Sequence, residues 1–502
     1  MSVHVKSPTP GIDHLRSLRG ELVGRQRAGQ RFAGLIGEGD PRHGVTLCAL
    51  MANAEGIEAL SARLPAGCAE YRALTPEVPG AFWYERALHD LFGIGPRGHP
   101  RLDPLVLPHH EGTGGLPCPG APVHPSRVEP DERAWPRRVL GTGMFTIPHG
   151  PVRSGVFESV EYVVETPGED ISHVNVRPFA KHRGVQVRFD GLSIMDGSLL
   201  AERVEGISSV AHALGYAHAV ESGAALEVPG AAALVRVVHA ELERVANHLD
   251  VAMKLADAAG LAVAVARFGW HKEGVLRLIG RMCGSRFGRG VVIPGGIRAL
   301  PRLAPARIRS EVDTLAKRIG SDEKALMETA SFLDRLRGTG PLQCELARRH
   351  GALGPIGRAS GCHDDVRWTR PYDAYPRLHP LPARVDEVGD AMARLRVRWV
   401  EAHNSFALIR QALDLLSSAD ADSIAAPVPA MAARSIGWAE AAQGEVLYVV
   451  ATDDEGKVHF CAPRSASFHN LALFPATFQG DVLTDFPFIE ASFGLSIAGV
   501  VM

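Results

Sequence analysis

The sequence predicts an α+β protein: a small N-terminal α+β domain, a Pro/Gly-rich linker, and a large, mainly helical domain with β-rich segments at its start and end. Three observations carry this. Before residue 103, short runs of β-forming residues alternate with short helical patterns. Prolines at 104, 108, 117, 119, 122, 125, 130 and 136 then forbid both helix interior and central strand. Beyond residue 199, apolar residues recur every three or four positions over long stretches.

Residues 1–24 read as a polar N-terminal arm or a short helix. The domain 25–103 holds expected strands at 31–37, 44–53 and 69–74, and expected helices at 54–63 and 82–92. Residues 104–140 are the linker, an extended strap. The region 141–502 opens on an expected β pair, 158–165 and 173–179. Helices are expected at 199–221, 231–254, 262–280 and 385–416, and at 303–336 as one helix or a broken pair. Glycines at 284–290 and Pro294-Gly295-Gly296 interrupt the pattern. A β-rich tail follows, with strands at 445–453 and 458–462 and a further segment up to Met502. On the 199–221 helix, Leu200, Val204, Ile207, Ala211 and Leu214 share one face, and Glu205 and Ser208 are neighbours three apart.

The 502 residues include 54 basic and 56 acidic side chains, for a net charge of −2. This balance offers no electrostatic argument for nucleic acid or an anionic membrane. The cysteines Cys48, Cys68, Cys118, Cys283, Cys344, Cys362 and Cys461 are scattered, with no Cys-x-x-Cys pair. They predict a reducing compartment and no cysteine-ligated zinc or iron–sulfur site within this chain alone. The first residues carry no basic–apolar–small pattern, so no signal peptide is expected. No window of 18 uncharged apolar residues occurs, so no membrane span is expected. Attachment to a membrane through a partner stays open.

Local motifs decide little. Gly93, Gly95 and Gly98 have the spacing of a dinucleotide fingerprint. They hold Pro96, however, and do not open a helix after a strand. His109, His110, Glu111, Cys118 and His124 can be drawn as a metal site, but no pair has recognised ligand spacing. His239, Glu243 and His248 read as the polar face of a helix meeting its neighbours. Cys362-His363-Asp364-Asp365 reads as a loop with aspartate caps.

Longer patterns are more informative. Glu85-Arg86-Ala87-Leu88-His89-Asp90 with Gly98-His99-Pro100-Arg101-Leu102 resembles the signature of the 30-kilodalton subunit of respiratory complex I. Further pieces resemble the 49-kilodalton subunit and the homologous large subunit of formate-hydrogenlyase-type, energy-converting nickel–iron hydrogenases. These are Gly150-Pro151-Val152-Arg153, Lys181-His182-Arg183-Gly184, Ser208 to His212, Glu241 to Arg244 with His248, Pro294-Gly295-Gly296, Arg358 to Gly361 with Asp365 and Arg367, Gly444-Glu445, and Ser467 to Leu471. Their order along the chain is that of a fused 30- and 49-kilodalton subunit.

The departures from that family are specific. In the hydrogenases this resemblance implies two thiolate pairs that hold the metal. Here Glu205 and Ser208 stand at the first pair, and Ser496 and Gly499 at the second. Gln186 replaces a glutamate of the suspected proton path, and Gln443 stands where an arginine is usual. Complex I implies a tyrosine at Gly206 and a histidine at Arg153 for its quinone site, and neither is present. The resemblance thus implies an oxidoreductase subunit without a nickel–iron site, not expected to turn over hydrogen. Glu205 and His212 are its candidate catalytic residues. Arg153, His182, Arg183, Gly206, Ser208, Arg358 and Ser496 are expected to line a vacated cavity open to a quinone or other acceptor. Alternatively, Glu205 pairs with an arginine, Arg153 or Arg358, and plugs the cavity of a non-catalytic scaffold. No cofactor is expected within this chain. The implied partners are an iron–sulfur small subunit, a ferredoxin-like iron–sulfur subunit and membrane-embedded complex-I-like subunits, on the cytoplasmic face of the inner membrane.

Overall fold

The computed structural model describes residues 9, 10, 12–107, 143–153, 158–382, 385–419 and 423–502. The histidines, glutamate and cysteine at 109–124 lie outside the described residues.

A short strand β1 (Thr9–Pro10) and helix α1 (Ile12–Arg27) precede an antiparallel meander of β2 (Arg31–Asp40), β3 (Gly44–Ala52) and β4 (Ile57–Leu64), in the order β1-β4-β3-β2. The helix expected at 54–63 is therefore a strand. Its Ala, Leu, Glu and Arg content favours a helix in isolation. Buried Leu60, Ala62 and Leu64 instead alternate with period two and pair with Ala49, Leu47 and Val45. β5 (Glu70–Arg72) and β6 (Gly95–Arg97) pair in parallel around α2 (Phe82–Phe92), which matches its expected span.

The α2 signature fastens loops. Glu85 accepts the Leu74 and Thr75 N–H groups at 2.7 and 2.9 Å, and Asp90 accepts those of Leu105 and Val106 at 2.7 and 2.8 Å. Arg86 donates to the Asp103 carbonyl at 2.8 Å. Each buried charge satisfies backbone groups that would otherwise be orphaned.

The larger part opens with β7 (Phe145–His149), β8 (Glu161–Thr166) and β9 (His173–Arg177), an antiparallel sheet containing the expected pair. The single helix expected at 199–221 is broken into α3 (Ile194–Ala201) and α4 (Ser209–Gly223). Glu205 and Ser208 lie in the intervening loop rather than on a helix face. α5 (Gly230–Ala258) and α6 (Ala262–Cys283) follow, then the small ribbon β10 (Val292–Ile293) and β11 (Gly296–Ile297). α7 (Pro305–Met327) and α8 (Ala330–Leu336) are the broken pair. Short helices α9 (Cys344–His350), α10 (Gly354–Arg358) and α11 (Val366–Thr369) lead to α12 (Ala391–Ser417). Asp365 caps α11 by accepting the Arg367 N–H, as the aspartate-capped loop predicts. Leu242, Val245 and Leu249 of α5 share a core with Phe268 and Leu278 of α6, Ile308 and Val312 of α7, and Trp399 and Phe406 of α12.

β12 (Ala433–Ala441), β13 (Gly444–Thr452) and β14 (Val458–Arg464) form an antiparallel sheet, whose first strand is not evident from the sequence. The chain closes with α13 (Ala466–Leu471), α14 (Phe486–Phe493) and α15 (Ile497–Val500), so the segment up to Met502 is helical rather than β-rich. The tail crosses under the loop between α3 and α4.

The two sheets meet face to face. Ala33, Ile36, Cys48 and Leu50 pack on Ile436, Leu447, Val449 and Ala462. Arg31 crosses this junction, bonding Asp364 at 2.9 Å and Glu445 at 2.7 Å, while Arg370 binds the same two carboxylates. Burial raises the pKa of Asp364, but Arg31 and Arg370 outweigh it and hold the carboxyl well below its usual 3.8. The sign follows: a depressed folded value gives stability that is complete above pH 3.8 and is lost as pH falls toward the folded value. Arg31→Ala should lower unfolding free energy at pH 7 by about 3 kcal/mol, because Asp364 and Glu445 lose a shared cation. Denaturant titrations at pH 7 and pH 3 check this, with the gap between wild type and variant shrinking at the lower pH.

Candidate functional site: a sealed carboxylate node

The α3–α4 loop, β13, β14 and the C-terminal helices converge on Glu205. Its Oε2 accepts from Ser465 Oγ at 2.6 Å and His212 Nε2 at 3.0 Å, and its Oε1 accepts from Ser467 Oγ at 2.8 Å. Ser465 Oγ itself accepts the Ser467 N–H, and Ser467 Oγ accepts the Ser496 N–H. Each hydroxyl therefore has its proton free for Glu205. On the far side of His212, Nδ1 lies 2.8 Å from the Tyr448 hydroxyl. Burial, with Cys461 and Glu205 nearby, pushes the Tyr448 pKa up, so the phenol keeps its proton. The Tyr448 hydroxyl, the His212 ring and Glu205 thus form one hydrogen-bonded chain.

This node is closed. Glu205, His212, Ser465 and Ser467 are all at most 1% exposed. Gly499 packs against the carboxylate so tightly that a Cβ there would lie 2.5 Å from Glu205 Oε2 and 2.8 Å from Ser465 Oγ. Arg183 ties the strands of the node together. It donates to the Arg203 carbonyl at 3.1 Å, to that of Val204, and to Ala498 O at 2.8 Å. These carbonyl contacts, with Gly206, explain why the predicted helix breaks here. Burial lowers the Arg183 pKa.

Of the expected site residues, Glu205, His212, Ser496 and Gly499 thus come together, with Arg183 bracing them. Ser208 faces a neighbouring chain of amides: its hydroxyl donates to Gln443 Oε1 at 2.7 Å, and Gln443 Nε2 to Asn247 Oδ1 at 3.0 Å. Ser496 also donates to Glu158 at 2.8 Å. Two expectations are corrected. Arg153 does not reach Glu205, because both its terminal nitrogens are taken by Glu490, at 2.9 and 2.6 Å. Nor does Arg358, which bonds Glu401 at 2.7 Å and Glu440 at 3.1 Å. Glu205 is paired by hydroxyls and an imidazole, not by an arginine. His182 lies beside Met502, its pKa lowered by burial. Gly206 has open space where a side chain would project. It borders a cleft of about 70 Å³ lined by Val210, Glu243, Asn247, Lys272, Leu276 and Phe287, among others. Sequence reasoning missed Ser465, Tyr448 and Asn247. Only Ser467 and Gln443 carried a signal, as parts of family-like segments.

Arg358 belongs to a second buried cluster. Arg367 spans Glu241 at 3.1 Å and Asp365 at 2.7 Å, Arg244 meets Glu241 at 3.2 Å, and His248 meets Glu401 at 3.0 Å. Among the described residues, no three His, Cys, Asp or Glu side chains are arranged to hold a metal ion.

Comparison with known proteins follows the same division. Residues 24–126 match the family described as respiratory-chain NADH dehydrogenase, 30 Kd subunit, and residues 260–435 match its 49 Kd subunit. The chain is a fusion of these two complex I domains. Glu205, His212, Ser465, Ser467 and Gly499 all lie outside the matched stretches. Formate hydrogenlyase subunit 5 of Escherichia coli K12 is 26% identical over 84% of this chain and 75% of its own length. The C/D fusion protein of NADH-quinone oxidoreductase from Gluconacetobacter diazotrophicus is 27% identical over 92% of this chain and 85% of its own. A chain of the membrane-bound sulfane sulfur reductase, an archaeal respiratory membrane complex, superimposes with a TM-score of 0.68. It is 23% identical, and the match covers 72% of this chain and 99% of that one, a likeness of fold.

Position 499 is expected to tolerate nothing larger than glycine. Gly499→Ala should cost about 1–3 kcal/mol by overpacking. Adding Glu205→Ala should recover part of that loss, with a coupling energy of about 1 kcal/mol or more in a double-mutant cycle of denaturant midpoints.

Proposed function

We propose that this chain is the large peripheral subunit of a membrane-associated, complex-I-like or formate-hydrogenlyase-like oxidoreductase. It holds and couples its neighbours rather than turning over hydrogen. The observation that carries this is the saturation of Glu205 inside a closed node. The hydrogenases bind nickel and iron through soft thiolates. Here the four corresponding positions offer a carboxylate already committed to three donors, two hydroxyls committed to Gln443 and Glu158, and a glycine with no room for a side chain. A nickel–iron centre does not fit these residues. The partners of this reading are an iron–sulfur small subunit, a ferredoxin-like subunit and membrane-embedded subunits, on the cytoplasmic face of the inner membrane. Its support is the relatedness to formate hydrogenlyase and NADH-quinone oxidoreductase subunits. Among the described residues no helix is long and apolar enough to cross a membrane, so attachment would run through those partners.

A second reading keeps electron transfer to an acceptor within the subunit. The cleft beside Gly206 favours it, because the side chain missing there leaves space open to solvent.

Metal analysis of the purified native complex should find nickel far below one per chain, and stoichiometric nickel would overturn the proposal. Glu205→Gln should reduce the amount of assembled complex while leaving the rate of quinone reduction per assembled complex unchanged. A fully assembled Glu205→Gln complex that no longer reduces an added quinone supports the second reading instead.

A further inference from the structure

The loop that carries Gly206 and the segment 284–302 share one surface, and arginines ring it. Arg286 and Phe287 line the same cleft as Gly206. The Gly290 N–H donates to Glu202, the acid beside Arg203. The Arg289 guanidinium lies 5.4 Å from the Phe287 ring centroid and 3.4 Å from Ser209 Oγ at the start of α4. Arg298 Nη1 lies 3.7 Å from where a Cβ would stand on Gly290, and Arg302 Nη2 lies 3.0 Å from that position on Gly284. Both glycines have left-handed φ, +77° and +90°. Their bare backbone is what lets the two guanidiniums lie close across this turn.

Neutralisation of these charges is incomplete. Arg203 has Glu202 at 3.5 Å, and Arg286 has Glu273. Glu202 is also spent on Gly290, and Glu273 on Arg277. Among the described residues, Arg289, Arg298 and Arg302 have no carboxylate within 4.0 Å. Five arginines less two carboxylates leave three positive charges in surplus, on a chain whose net charge is −2. Large apolar side chains stand among them. Phe287 is 45% exposed, Leu300 40% and Leu199 48%, and Arg203 donates to the Leu199 carbonyl. Apolar groups held in water beside unneutralised arginines are the makings of a protein interface, where aromatic and arginine side chains carry most of the binding.

We propose that this surface docks the acidic face of a partner subunit, one that brings carboxylates to Arg289, Arg298 and Arg302 around an apolar centre covering Phe287 and Leu300. Charge complementarity decides the kind of partner. A guanidinium takes a carboxylate through two parallel hydrogen bonds, so three free forks fit three acids. Nucleic-acid sites make about six to ten phosphate contacts. Membrane-binding clusters hold about four to eight cations. A surplus of three, broken up by apolar side chains, falls short of both. A partner docked here also covers the mouth of the cleft, because Arg286 and Phe287 form part of its wall. The inference deepens the assembly role proposed above and rests on it for the existence of the partner.

Hydroxyl-radical footprinting of the purified native complex, set against the isolated full chain, tests this. Oxidation of Phe287 and Leu300 should fall at least about fivefold in the complex, because side chains at the centre of an interface lose their water. Arg298→Glu combined with Arg302→Glu should cut the amount of assembled complex at least about tenfold at low salt, and the loss should shrink as added salt screens the repulsion. Arg298→Lys with Arg302→Lys should keep most of the assembly. Both arginines are exposed, so the isolated double-glutamate chain should melt at the wild-type temperature. Equal oxidation of Phe287 and Leu300 in the complex and in the isolated chain overturns the proposal. So does a double-glutamate variant that assembles like wild type. Binding of the isolated chain to duplex DNA or to phosphatidylserine vesicles that is lost in the double-glutamate variant, with Phe287 still oxidised in the complex, assigns the surface to those partners and overturns it too. Failure to find the chain in any stable complex sinks the assembly reading and this surface together. A stable complex that leaves the surface uncovered sinks only the surface.

Discussion

A buried carboxylate must be satisfied by hydrogen bonds or it cannot stay buried, and Glu205 imposes that demand on four parts of the chain, two of them more than 250 residues away. The loop that carries it, the imidazole of α4, the two serines after β14 and the glycine of α15 meet only in the folded state. Taking such an ion out of water costs several kcal/mol. Three hydrogen bonds to it, each contributing about 1.5–3 kcal/mol, offset that cost when all are made. Removing one donor leaves the others holding a deficit, so the node is cooperative by construction. This is why the tail is threaded beneath the α3–α4 loop and why Arg183 clamps the carbonyls of both.

Around the node, charge is organised by balance rather than by exposure. Glu241, Arg244, Arg367, Asp365, Arg358, Glu440 and Glu401 form one connected ionic layer between α5, α12 and β12. Arg31, Asp364, Arg370, Glu445 and Arg464 extend the pattern to the N-terminal sheet. Apolar packing between the sheets brings these layers together, and the ion pairs fix their register, since one displaced partner strands a buried charge. The 30-kilodalton domain is thus docked on the same β sheet that presents Tyr448 and Gln443 to the node.

Legibility in the sequence follows the range of the interactions. The α2 span and the long bundle helices are readable because their periodicity is local and their ends carry glycines or prolines. Residues 54–63 read wrongly as helix because helix propensity is local, while the pairing of Ile57–Leu64 with β3 that overrules it is not. The break at 202–208 is invisible for the same reason: Arg183 and the C-terminal tail act there from far away in sequence. Family-like segments point to Glu205, His212, Ser496 and Gly499, which do converge. They cannot say that Ser465 and Tyr448 complete the set, because a serine or tyrosine carries no motif of its own. The arginine partners expected for Glu205 follow from simple charge complementarity. They fail because Glu490 and Glu401 compete for Arg153 and Arg358 at shorter reach.

The loop between α3 and α4 separates two acids with opposite circumstances. Glu205 faces inward and has every lone pair it can use engaged by hydroxyls and an imidazole. Glu243 faces the cleft and has only the amide dipoles of α4, which are also the dipoles that fix where the loop ends. The α3–α4 loop therefore lies between an acid held by three side-chain donors and an acid held by two backbone N–H groups. Gly206, with open space at its Cα, sits between them. A shift of the α4 start would therefore reach Glu205 through residues 205–208, and the close packing of Gly499 on that carboxylate resists it.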